Sequence, residues 1–375
     1  MKNDVIKKIV LAVIIVAVIL VLLFVGKELA IRYFGLKLPS LSESKQVGSN
    51  KIEFSVENIS SYSHAVTDKY AYFAGTDKVI VVDENGVEKA EIPVGTENPI
   101  IKKSGNYVIL GDLNGNNVYI INGTQIKKNF VTTKSIKNLS INSSGHCVVV
   151  TEGDMHKRDV TVYSEKGEEL FVWNSGNKLV IDAVIAENNK NVIISSLDTQ
   201  GTTANTVLSF YNISKVDPIA AETMENEIIA SLCVYGNYVY CVGESKTVVY
   251  NAYGEQKSEI SYNDKSLRSY EVNRNGVVME FLESTMSNKR YSIEVYSESG
   301  KLKTSHSHDY EAKYIDISNN YIVIGRSGLI SVIDYNGVEK QLLDPGVDLV
   351  DLCIIGNSRK MVGFAADGAY IFNLK

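Results

Sequence analysis

Val79–Ile92 reads VIVVDENGVEKAEI, and its pattern decides the fold. An apolar run ends at Asp83, Gly86 follows three residues later, and an alternating strand returns. A short polar side chain bonds its own backbone there, and glycine takes the positive φ, so the pair makes a tight β-hairpin. The hairpin recurs. The small polar residue ending the equivalent run is Asp83, Asn122, Ser164, Asn212, Asn251, Ser297, Asp334 and Asn373, at a mean spacing of about 41 residues, the period of four-stranded propeller blades. In five units the glycine also recurs, at Gly86, Gly167, Gly254, Gly300 and Gly337. Asp83 therefore reads as a turn former.

Upstream, the first strand of each unit opens on a small polar residue: Ser63, Ser140, Asp182, Ser231, Ser269, Asp316 and Asp351. The second unit departs, with Pro99 nearby. A second turn and an apolar second strand follow, so each unit reads as a four-stranded antiparallel meander without helices. The last unit stops at Lys375, one strand short, and Ile52–Val56 is an isolated alternating strand near the start. If that strand fills the gap, no sheet edge is left open. The expectation is an all-β, eight-bladed β-propeller over residues 51–375, closed by an N-terminal strand.

Composition agrees. With 45% hydrophobic and 22% charged residues the chain is neither disordered nor highly charged, and a net charge of −6 gives no field to gather nucleic acid. Five prolines and 22 tyrosines suit a strand-rich fold.

Residues 9–26, from Ile9 to Gly26, form one apolar run, about 27 Å long as a helix and close to the thickness of a bilayer core. Lys2, Lys7 and Lys8 precede it and favour a cytoplasmic N-terminus (residues 1–8), although Lys27 and Arg32 follow. Glu28 stands where signal-peptide cleavage wants a small residue, so the run reads as an uncleaved signal anchor. Residues 27–50 read as a membrane-proximal segment and Ser-rich tether. The expectation is a single-pass membrane protein with its propeller outside the cytoplasm and the bilayer as one partner.

The repeats resemble β-propellers of the quinoprotein-like or lactonase-like superfamily, and more narrowly an uncharacterised bacterial family with one N-terminal helix and an external propeller. The resemblance implies a fold and no activity. The Trp-Asp dipeptide is absent, and of the outer-strand tryptophans of the quinone enzymes only Trp173 has a counterpart, so neither subgroup's function transfers.

No phosphate loop, nucleophile elbow or paired-histidine zinc motif is present, and the sequence suggests no catalytic residue, cofactor or metal. Asp112 and the residues after it resemble a calcium loop, but glycine sits at the fourth position instead of the sixth, which suits a turn. His306 and His308 could share one strand face; a solvated edge is the plainer reading. Cys233 and Cys241 flank the turn Gly236-Asn237-Tyr238, where hairpin register would set them opposite each other, as a disulfide or as buried thiols.

Two places remain for function. Asp182, Asp316 and Asp351 share the strand that lines a propeller's channel, where they form an acidic ring or accept backbone hydrogen bonds that fix blade packing. Three loops joining second and third strands are long: Glu152–Asp159, Asp198–Asn205 and Glu283–Arg290. Insertions on one face often mark a binding face, which singles out Asp154, His156, Lys157, Arg158, Thr202, Lys289 and Arg290. The functional expectation is a non-enzymatic binding or scaffold module for an envelope protein or polymer. The alternative is a metal-dependent envelope hydrolase or lyase using the channel carboxylates.

Overall fold

The computed structural model describes residues 46–47, 50–52, 63–155, 157–198, 203–284, 289–326, 328–365 and 368–374. Among them there is no helix, so none long and apolar enough to cross a membrane; the run at 9–26 lies outside the described residues. The described residues belong to one compact unit, Gln46–Lys375.

They form eight antiparallel sheets. Seven blades are continuous in sequence, and the first runs through Ser63–Val66, Tyr70–Ala74, Lys78–Asp83 and Glu88–Pro93. The eighth takes Leu349–Ile354, Lys360–Ala365 and Gly368–Asn373 from the end of the chain and Asn50–Ile52 from its beginning. Lys51 stands opposite Tyr370. The closing strand thus enters two residues earlier than Ile52–Val56, and residues 53–56 lie outside the described residues. One addition was not anticipated: Gln46–Val47 pairs in parallel with the outer strand Glu339–Asp344 and gives blade seven a fifth strand.

The turns explain why each blade folds locally. Asp83 Oδ1 accepts the N–H groups of Asn85 and Val87 at 2.8 and 2.9 Å, and Gly86 has a φ of 74°. Asp334 repeats the bonds with Asn336 and Val338, Asn251 with Tyr253 and Glu255, and Ser164 with Lys166 and Glu168. Asp, Asn and Ser are interchangeable there because the turn needs one acceptor oxygen and nothing more.

Among the described residues there is no central core. The buried side chains fall into eight clusters, one at each junction between neighbouring blades. Strand alternation produces this. On the second strand of blade two, Val108 and Leu110 pack toward blade one, while Ile109 packs toward blade three. At the closing junction Val66, Phe73 and Ile80 of blade one meet Ile355, Phe364 and Ile371 of blade eight. The ring is complete.

Register corrects two readings. Cys233 pairs with Tyr240 and Leu232 with Cys241, so the cysteines are offset by one residue and on opposite faces; both are free thiols. The turn holds two residues, between the paired Tyr235 and Tyr238, and that length sets the offset. His308 is no solvated edge: it is 9% exposed, lies between the rings of Tyr291 and Tyr310, and its Nδ1 is 2.7 Å from the Tyr310 carbonyl oxygen.

Candidate functional site

The inner strands carry a recurring device. In five of them the register shifts by one residue just before the small polar position: at Asn138, Asp182, Ser231, Ser269 and Asp351. Such a bulge re-aims the following side chain. In the third unit the position is therefore Asn138, not Ser140.

Asp182 Oδ1 accepts the N–H of Ala183 at 2.9 Å, and its Oδ2 reaches the next blade to accept the N–H of Leu232 at 2.8 Å. Asp316 does the same with Ile317 in its own blade, at 2.8 Å, and with Ile354 in blade eight. Asp351 accepts the N–H of Leu352 at 2.7 Å, but its second oxygen meets a side chain, His64 Nε2 of blade one, at 2.6 Å. Asn138 joins blade three to blade four by donating to Asp182 Oδ1 at 3.0 Å. Each is a latch between neighbouring blades.

The second unit departs, and there the inner strand Pro99–Ser104 supplies Lys102 and Lys103. At one mouth of the channel lies a cavity of about 400 Å³, lined by Lys103, Glu271, Asp316, Asp68, Tyr235 and Arg274 among others. These groups are within reach of water yet closely surrounded by protein. Burial pushes the Glu271 carboxyl up to about 8, with Asp316 and Asp351 adding to the rise and Lys103 opposing it. Burial likewise raises Asp316 against the pull of Lys103 and two backbone donors, and raises Asp182 against its own backbone donors. For Lys103 burial works downward, but Asp316 and Glu271 outweigh it and hold the ammonium above its ordinary range. The mouth thus sets one strongly held cation among carboxylates short of counter-charge.

Beside it, His64, Asp351 and Cys353 bring their ligating atoms within 4.8 Å of one another, the one such group among the described residues; Asp182 and Asp316 are not in it. Burial and the neighbouring carboxylates raise the Cys353 thiol well above its ordinary range.

The mouth is built on turns between first and second strands. In a meander the second-to-third-strand loops lie on the other face. Those tips are shorter than expected, because the ladders continue to Glu152–Arg158, Asp198–Asn205 and Ser284–Arg290. Arg158 Nη1 reaches Glu152 at 3.2 Å, and Lys134 holds Asp154 and Asp159 at 2.9 and 2.8 Å. The Lys157 N–H donates to the Gly176 carbonyl oxygen at 3.1 Å. Lys289 and Arg290 are exposed. His156 and Thr202 lie outside the described residues. The blade-three tip is thus tied into its own sheet, and no described contact joins it to Lys289 or Arg290.

Sequence reasoning missed Lys103, Glu271, His64 and Cys353. One signal pointed to the first: the unit whose inner strand breaks the small-polar pattern carries the lysine.

Comparison with solved structures returns propellers. The C-terminal WD40 domain of Sif2 matches with a TM-score of 0.60 at 12% identity, over 88% of this chain and 100% of that one. BamB from Moraxella catarrhalis matches with a TM-score of 0.50 at 13% identity, over 86% and 97%. A KlHsv2 variant with loop 6CD replaced by a Gly-Ser linker matches with a TM-score of 0.52 at 11% identity, over 73% and 92%. At such identities the likeness concerns the fold alone. No curated protein matches the sequence. The model of a family of unknown function, DUF5711, matches residues 43–370, and the chain belongs to that family.

Proposed function

We propose that this chain is a non-enzymatic binding module: a propeller tethered to the cytoplasmic membrane through residues 9–26, carried on its outer side, and engaging an envelope protein or polymer. The observation that carries the reading is the use made of the inner-strand carboxylates. Asp182, Asp316 and Asp351 each commit both oxygens, one to the next backbone N–H and one to the neighbouring blade. A carboxylate acting as general base or nucleophile needs an oxygen aimed at substrate. The device holds the ring and leaves recognition to the two faces, a common division of labour in repeat folds.

On this reading Lys157, Lys289 and Arg290, with His156 and Thr202, face the partner. The matched propellers support a ring-shaped scaffold without naming what it binds. Proximity labelling in cells, with the labelling enzyme fused to the C-terminus, tests it. The expected result is enrichment of an envelope protein over a control carrying residues 1–45 alone. Equal labelling of both would overturn the proposal.

A further inference from the structure

We propose that the seam where blade eight meets blade one is a zinc site, with His64 Nε2, one oxygen of Asp351 and the Cys353 thiolate as protein donors. Asp351 and Cys353 are two residues apart on the extended strand Leu349–Ile354 and so share its channel face. His64 comes from the first strand of blade one, 287 residues away in sequence. The ligating atoms lie within 4.8 Å of one another, and His64 Nε2 is 2.6 Å from Asp351 Oδ2. A tetrahedral zinc bound at about 2.0–2.3 Å sets its donors about 3.4–3.6 Å apart. Shifts of about 1 Å or less at the side-chain ends therefore close the site around an ion.

The donors are already oriented. The Leu352 N–H holds Asp351 Oδ1 at 2.7 Å, which turns Oδ2 toward His64. The His64 ring stacks on Phe364 with centroids 3.9 Å apart and planes at 21°. Such outer contacts fix ligand geometry in metal sites. The His64 and Asp351 side chains are 25% and 37% exposed, which leaves an entry path and a fourth position for water.

Comparison of the seams points the same way. At the junctions of blades four with five and seven with eight, the second oxygen of the inner aspartate accepts a backbone N–H, of Leu232 and of Ile354. At the closing seam the partner is an imidazole, with a thiol beside it. The nitrogen, sulfur and oxygen set suits zinc, whereas calcium and magnesium take oxygen donors. Binding releases the thiol proton to solvent and replaces the His64–Asp351 hydrogen bond with metal bonds, the proton of that hydrogen bond passing to His64 Nδ1 or to solvent. The ion joins the two ends of the ring, where the chain's beginning otherwise contributes the three-residue strand Asn50–Ile52. The inference does not depend on the binding-module reading.

The test uses the full chain in detergent, stripped of metal with a chelator and titrated with Co²⁺ as a spectroscopic probe. Expected are one equivalent of tetrahedral cobalt with a thiolate-to-cobalt charge-transfer band, displaced by Zn²⁺ and not by excess Ca²⁺ or Mg²⁺. Cys353→Ser, near-isosteric, loses the band while the metal-free melting curve stays unchanged. His64→Gln weakens binding at least about tenfold, and Asp182→Asn, across the ring, leaves it intact. No band in the unaltered protein, a band that survives Cys353→Ser, or displacement by Ca²⁺ overturns the proposal.

Discussion

Asp334 and Asp182 are the same residue type at two repeated positions of one fold, and their surroundings drive them in opposite directions. Asp334, at an outer turn, accepts two backbone N–H groups and pairs with Lys340 at 2.9 Å; the lysine and the backbone donors lower its carboxyl to about 2. Asp182, on an inner strand, also accepts two backbone N–H groups, yet burial raises its carboxyl. The number of donors is equal. The difference lies in the lysine beside Asp334, in access to water and in what is held together: the outer carboxylate closes a turn within one blade, whereas the inner one joins two blades.

Breaking the inner device has the largest expected effect. Asp182→Ala leaves the N–H groups of Ala183 and Leu232 without their acceptor and should cost about 2–4 kcal/mol in urea unfolding. Asp182→Asn keeps one of the two acceptor oxygens but sets its amide NH2 against the other backbone N–H, so it should recover only part of that. Full recovery in Asp182→Asn would mean that the second acceptor oxygen does not hold the junction.

The channel mouth sharpens the contrast through pH. A carboxyl raised in the folded protein holds its proton more tightly folded than unfolded. Its contribution is therefore fully favourable below its ordinary value near 4.5 and is lost as pH rises toward about 8. The melting temperature should fall between pH 5 and pH 8, and Glu271→Gln should flatten that fall. An unchanged slope would remove Glu271 from the account. Asp334 has the opposite sign: its contribution is present above the unfolded value of 3.8 and is lost as pH falls through about 2. Asp334→Asn keeps the turn acceptor, as Asn251 does, but loses the Lys340 pair; it should melt slightly lower than the unaltered chain at pH 7, and the difference should vanish as pH falls through about 2.

The same contrast explains what could be read from sequence. The outer turn is local, with partners two and four residues on, so the recurring Asp83–Gly86 pattern showed the hairpins and the blade number, while a last unit one strand short and a surplus early strand showed closure. The inner position was visible as a periodic small polar residue, but the partner of Asp182 lies 50 residues away and that of Asp351 lies 287. In the third unit two small polar residues, Asn138 and Ser140, stand two apart on one strand face, and only the register shift beside Asn138 marks it as the equivalent of Asp182. One residue of register likewise set Cys233 and Cys241 on opposite faces. Glu271 and Cys353 sit at strand positions with no periodic signature, and only ring closure brings His64 to Cys353.

The smallest expected effect on stability and the largest on function belong to the exposed tips. Lys289→Glu with Arg290→Glu should change unfolding by less than about 0.5 kcal/mol. The decisive measurement is partner enrichment by proximity labelling in cells for the unaltered chain, this charge-reversed pair and Asp182→Asn. Enrichment should fall to the bare-anchor level in the charge-reversed pair and persist in Asp182→Asn. Full enrichment with the tips reversed, or its loss on altering Asp182 in a protein that still melts normally, would contradict the division between a latched ring and a recognising face.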